Sequence, residues 1–223
     1  MDKKQTRREL YTAGAGIHVR EAGEGQESRT ITGYAILFDT ESAVLWSDEG
    51  TEVREVIAPE AVTQDLLDAS DIKFTMFHNR QLILARSNQG KGTLSYAIDE
   101  KGVSFEFDAP KTADGDKALE LVRRGDLSGC SFAFSTDYFD HGCVERQRRY
   151  ADGKCYVTYR VKEMHAIYDM TLAADPAYPD TSVEAREWET RLRAEGEPKA
   201  ARKKEVAAQV AAMRREARKG IVH

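Results

Sequence analysis

Three cysteines in 223 residues, none in a CxxC pair, are too few and too irregular for a disulfide scaffold. They fit a reducing compartment. No apolar run approaches the roughly 18 residues that a membrane-spanning helix needs. The opening MDKKQTRREL is basic but lacks the apolar core of a signal peptide, so the chain reads as cytosolic. The motifs GxxxxGK[ST], HExxH and GxSxG are missing, which removes the commonest local signatures of nucleotide, zinc-protease and α/β-hydrolase chemistry. The basic runs RQRR and ARKK carry no interleaved aromatics, so no nucleic-acid partner is expected. A net charge of -5 implies no particular partner. That charge is unevenly divided: 184–223 holds eleven Lys/Arg against seven Asp/Glu, and the rest of the chain is correspondingly acidic.

What is present is mostly strand pattern. Arg29–Phe38 is rich in β-branched and aromatic residues and follows a turn-like GEGQES, so it pairs as a hairpin with the stretch around Ile17–Arg20. Glu52–Ala58 alternates charged and apolar residues, and Pro59 opens a short helix after it. Ile72–Phe77 is a further strand. Gly92–Pro110 is a hairpin turning at Asp99–Gly102. Thr112–Arg124 is a helix stopped by Gly125. Strands follow over Cys130–Tyr138 and Tyr156–Asp169, with a polar hairpin tip between them. DPAYPDTS closes the domain. Beyond it, the Glu-, Ala-, Arg- and Lys-rich segment 183–223 reads as two helices split by Gly196 and Pro198.

The chemistry concentrates in LSGCSFAFS, Leu127–Ser135, where Cys130 and Ser131 are adjacent. Neighbouring strand residues point to opposite faces. If Phe132 and Phe134 face the core, Cys130 joins them as a small buried residue, and Ser131 faces the other way with Ala133. Ser131 is then the candidate nucleophile, and His78, at a strand end, the candidate base. A group must also orient that base. On a regular last strand Glu163, His165, Ile167 and Asp169 share one face, and Glu163 and His165 are both chemically suitable. Separately, His141, Cys143, Cys155 and His165 could form a two-Cys, two-His zinc site, although their spacing is unlike the usual knuckles. The simpler reading is four unrelated residues, with no cofactor or metal required.

Six segments in order, ITGYAILFDT, EVREVIAPEAV, DIKFTMFHNR, GTLSYAIDEKGVSFEFDAP, ALELVRRGDLSGCSFAF and IYDMTLAADPAYPDTS, resemble the HK97-type prohead proteases of tailed bacteriophages. The resemblance covers 8–182. It implies a mainly β fold with peripheral helices, a closed antiparallel β-barrel like that of the herpesvirus assembly proteases; the charged helical tail over 183–223, read from its composition, follows it. It also implies a serine endopeptidase acting in the host cytoplasm inside the immature capsid. Its substrates would be the scaffold or delta segment of the major capsid protein and the protease itself. Homodimerisation is expected from the herpesvirus relatives. His78 in FHNR matches the base and Ser131 in GCSFAF the nucleophile; Glu163 best fits the acidic third position, with His165 and Asp169 in reserve. The tail could carry the protease into the shell or be a self-cleavage target. The alternatives are an inactive assembly protein with the same fold and a zinc-stabilised binding module.

Overall fold

The structure is a computed structural model and describes residues 6–12, 14–21 and 27–174. Its elements are β1 (Thr6–Thr12), β2 (His18–Val19), β3 (Thr30–Leu37), β4 (Trp46–Ser47) and β5 (Thr51–Ile57). A 3-10 turn (Pro59–Ala61) and α1 (Gln64–Ala69) precede β6 (Asp71–Met76), β7 (Asn79–Asn88), β8 (Lys91–Gly92), β9 (Ser95–Ile98) and β10 (Gly102–Asp108). Then come α2 (Ala113–Arg123), β11 (Gly129–Thr136), β12 (Val144–Ala151), β13 (Lys154–Val161) and β14 (Ala166–Ala173).

The strands form three sheets: β1-β11-β14-β6-β7-β8, β2-β3-β10-β9 and β12-β13-β5-β4. Among the described residues none of them closes on itself, which corrects the expected barrel. Each sheet ends in an edge, and two neighbours, β14 with β6 and β13 with β5, run parallel rather than antiparallel. Such pairs are joined by long crossovers, not hairpins, so local alternation does not reveal them. The helical contribution is also smaller than expected. Thr63 caps α1 by accepting from the Leu66 N–H, and Thr112 caps α2 through the Gly115 N–H. The predicted tail over 183–223 lies outside the described residues. No described helix is long and apolar enough to cross a membrane.

Two further differences bear on the site. The expected Tyr156–Asp169 strand is two strands, β13 and β14, with a break at 162–165. The expected polar tip between Tyr138 and Tyr156 contains a strand, β12, in full antiparallel register with β13.

The core lies between sheets. Phe74 of β6 packs on Phe105 and Phe107 of β10, with ring centroids 4.4 and 4.7 Å apart. Cys130, Phe132, Phe134, Met170 and Leu172 are all nearly or wholly buried. At some 25 cal/mol per Å² of apolar surface, each large side chain here contributes about 1.5–3 kcal/mol. The edge strand β1 is tied in by Leu10 and by Arg8, which is 3% exposed, donates to the Tyr138 hydroxyl at 3.4 Å and lies over its ring. Tyr138 in turn donates to the Glu55 carboxylate, so the buried charges meet in one network.

Candidate active site

Ser131 is the third residue of β11, which runs between β1 and β14. Its side chain leaves the sheet on the face opposite Cys130, as alternation requires. Cys130 is fully buried, and burial pushes its thiol up to about 12. A thiol in that state is a packing group, not a nucleophile.

His78 arrives from the hairpin between β6 and β7. Phe77 and His78 form a two-residue turn with both φ angles positive, 56° and 52°, the type I′ arrangement. Neither is glycine, so the turn stores backbone strain of about 1–3 kcal/mol per residue. β14 holds it in place. The Phe77 N–H donates to Leu172 O at 3.1 Å, and the His78 N–H donates to Thr171 Oγ1 at 3.0 Å. Thr75 also donates its hydroxyl to Thr171 Oγ1, at 2.9 Å. Thr171 thus ties β6 and the turn to β14 from inside the sheet.

These constraints put His78 Nε2 2.8 Å from Ser131 Oγ and His78 Nδ1 2.6 Å from Asp169 Oδ1. Asp169 is 3% exposed and Ser131 7%. With the carboxylate accepting from Nδ1–H, the free lone pair sits on Nε2, aimed at the hydroxyl. The Ser131 hydroxyl has a second acceptor, Leu10 O of β1, at 3.0 Å. It has one proton, so the two acceptors alternate. Glu9 Oε2 lies 3.9 Å from Nε2 on the solvent side. Positive charge on the imidazole would therefore face Asp169 at one nitrogen and Glu9 at the other.

Of the residues the sequence singled out, His78, Ser131 and the reserve Asp169 come together, and Glu163 does not join them. Glu163 lies in the connection before β14, with a side chain 60% exposed, and its Oε1 lies 3.8 Å from His165 Nε2. The carboxylate beside His78 is that of Asp169, in continuous register with Thr171 and so on the Ser131 face; a β-bulge turns the residues before it away. Across β11 and β14, Ala133 pairs with Asp169 but Phe134 pairs with Ile167, which leaves Tyr168 as an extra residue. Ile167 therefore turns into the core while Asp169 stays on the Ser131 face. His165 lies before the bulge too, its N–H donating to Ser135 O at 2.8 Å.

Sequence reasoning missed Thr171, Glu9 and Leu10. A threonine in the apolar run DMTLAA was the available signal for the first; nothing local marked the others. Of the four suggested zinc ligands, Cys143 and His165 lie together, His141 is exposed, and Cys155 sits at the start of β13 opposite Tyr150. The third group near Cys143 and His165 is Glu163. An open pocket of about 310 Å³ is lined by Leu66, Lys73, Arg80, His165, Tyr168 and Asp169 among others.

A hydroxyl, an imidazole and a buried carboxylate in hydrogen-bonded series are the arrangement by which serine hydrolases activate a nucleophile. The chain belongs to the caudovirus prohead serine protease family, whose model matches residues 16–194 and so includes all three groups. Among curated proteins none matches the chain. One similar solved structure is the capsid assembly protease of bacteriophage T4, at 9% identity and a TM-score of 0.40, covering 76% of this chain and 99% of that one.

Proposed function

We propose that this chain is the endopeptidase of phage capsid maturation, with Ser131 as nucleophile, His78 as base and Asp169 as the group that orients the base. The observation that carries the reading is the unbroken series Ser131 Oγ–His78 Nε2, His78 Nδ1–Asp169 Oδ1, at 2.8 and 2.6 Å, inside a chain of the prohead serine protease family.

The proposed steps use these three groups alone. Ser131 Oγ attacks the scissile carbonyl carbon as its proton passes to His78 Nε2. The imidazolium that forms is held by Asp169 through Nδ1–H, and the carboxylate stays ionised. Collapse of the tetrahedral intermediate breaks the C–N bond. The amine leaves with the proton from Nε2, and Ser131 is left as an ester. Water, giving a proton to Nε2, attacks that ester; the acid product departs and the proton returns to Oγ.

The expected substrates are the scaffold or delta segment of the major capsid protein and the chain itself. The expected place of action is the interior of the immature shell in the bacterial host. The segment 183–223 then acts as a docking arm or a self-cleavage target. The test is co-expression with the capsid protein of the same genome, as wild type and as Ser131→Ala, with mass spectrometry of both proteins' termini. Trimming by wild type alone supports the reading. Trimming that persists in Ser131→Ala removes Ser131 as nucleophile. No trimming by either, with assembled shells present, favours a structural role.

A further inference from the structure

We infer that Cys143, Glu163 and His165 form a binding site for a single divalent transition-metal ion of the zinc class. Cys143 Sγ lies 3.7 Å from His165 Nε2, and His165 Nε2 lies 3.8 Å from Glu163 Oε1; the three donor atoms are all within 4.8 Å of one another. Tetrahedral zinc with ordinary bond lengths needs about 3.6 Å between sulfur and nitrogen and about 3.4 Å between nitrogen and oxygen. The two edges that meet at His165 Nε2 are within a few tenths of an ångström of that shape, and the exposed Glu163 carboxylate closes the third edge from within 4.8 Å.

The backbone that presents the donors is already fixed. Cys143 O accepts from both the Lys162 and Glu163 N–H groups, at 2.7 and 3.2 Å. Thr136 Oγ1 donates to Glu163 O at 2.6 Å. The N–H of His165 is held by Ser135 O and that of Met164 by Ala61 O. The imidazole itself is constrained from one side. Its Nδ1 is buried with no hydrogen-bond partner, so the polar contacts that orient the ring lie at Nε2, on the cluster side. The thiol is 1% exposed and the histidine side chain 11%, whereas Glu163 is open to solvent. An ion therefore has two sheltered ligands, one exposed carboxylate on the entry side, and a fourth position for water.

The donor chemistry selects the ion. A thiolate with an imidazole favours zinc and its neighbours over magnesium or calcium, which take oxygen. Binding at neutral pH requires the Cys143 proton to pass to solvent, so affinity rises with pH. An ion here would join the connection between β11 and β12 to the segment entering β14, four residues before Asp169.

The test uses the full chain as Ser131→Ala, reduced with a phosphine and stripped of metal, titrated with Co²⁺. One equivalent is expected to give a thiolate-to-cobalt charge-transfer band with the strong visible absorption of a four-coordinate ion, and Zn²⁺ is expected to displace it. Cys143→Ser should abolish the charge-transfer band, and Cys155→Ser should leave it. Glu163→Gln, at an exposed position that does not endanger folding, should weaken the cobalt affinity at least tenfold. The inference is overturned if no band forms at one equivalent, if the band survives in Cys143→Ser, or if Glu163→Gln binds as tightly as the parent. None of these readouts depends on proteolysis, so the result stands apart from the proposed reaction.

Discussion

Replacing Asp169 by asparagine tests the reaction at its most specific point. The substitution changes one atom in a side chain that is 3% exposed, and it leaves volume and shape intact. Its effect on His78 is a change of tautomer. The carboxylate can only accept, so the proton stays on Nδ1, 2.6 Å away, and Nε2 keeps a lone pair for Ser131. An asparagine amide held at that distance can donate to Nδ1, which sends the ring proton to Nε2. The base then points an N–H at the nucleophile whose proton it should remove. In a serine protease that reversal costs on the order of 10⁴ in kcat, equivalent to about 5.4 kcal/mol of transition-state stabilisation. The assay is the rate of capsid-protein cleavage, followed by mass spectrometry with purified enzyme in excess, alongside thermal unfolding to show that the variant is folded. We expect a loss of roughly four decades with the unfolding midpoint moved by no more than about 4 °C. The reasoning is refuted if Asp169→Asn stays within about tenfold of wild type. It is equally refuted if Glu163→Gln, in metal-stripped protein, shows the four-decade loss instead.

Three more expectations follow from other parts of the molecule. A β-carbon on Gly129 would stand 1.9 Å from the Tyr11 hydroxyl and 2.3 Å from Cζ, so Gly129→Ala should push β1 away from β11; we expect a loss of about 1–3 kcal/mol in denaturant unfolding, restored when Tyr11→Ala is added. With its thiol near 12, Cys130 holds roughly one thiolate in ten thousand at pH 8, so iodoacetamide should leave cleavage intact, and inactivation through Cys130 would contradict the packing assignment. Hydrogen bonds from Arg86 and Lys73 lower Asp71 to about 2, below its unfolded value, so the stability it adds is present above about pH 4 and lost as pH falls toward 2. Because this pair is exposed the effect is no more than about 1 kcal/mol, and Asp71→Asn should flatten that part of the pH–stability curve.

How far the sequence could be read depended on how local each feature was. His78 and Ser131 are legible because each sits on one strand or one turn, and the parity of a single strand is enough to separate Ser131 from Cys130. Asp169 is already on the candidate face, held in reserve; that the residues before it leave this face required knowing that Tyr168 is an extra residue. A bulge is a property of two strands together, and alternation counted along one of them carries the wrong face past it. β12 was hidden for a different reason. VERQRRYA is an edge strand with few buried positions, so it has the composition of a loop, and its pairing with β13 is what makes it a strand. The closed barrel came from resemblance, and the parallel pairings that contradict it join residues too far apart for any window of sequence to show.

The placement of β14 has a consequence for when the enzyme can act. It is the last strand of its sheet to be synthesised, yet it sits between β11 and β6, and until it inserts those two strands are separate edges. It also brings Asp169 and the threonine that anchors the His78 turn. A chain that ends before Ala166 carries Ser131 and His78 on separate half-sheets and lacks both Asp169 and the Thr171 anchor. On the proposed reading, catalytic competence therefore arrives only with the last strand of the sheet.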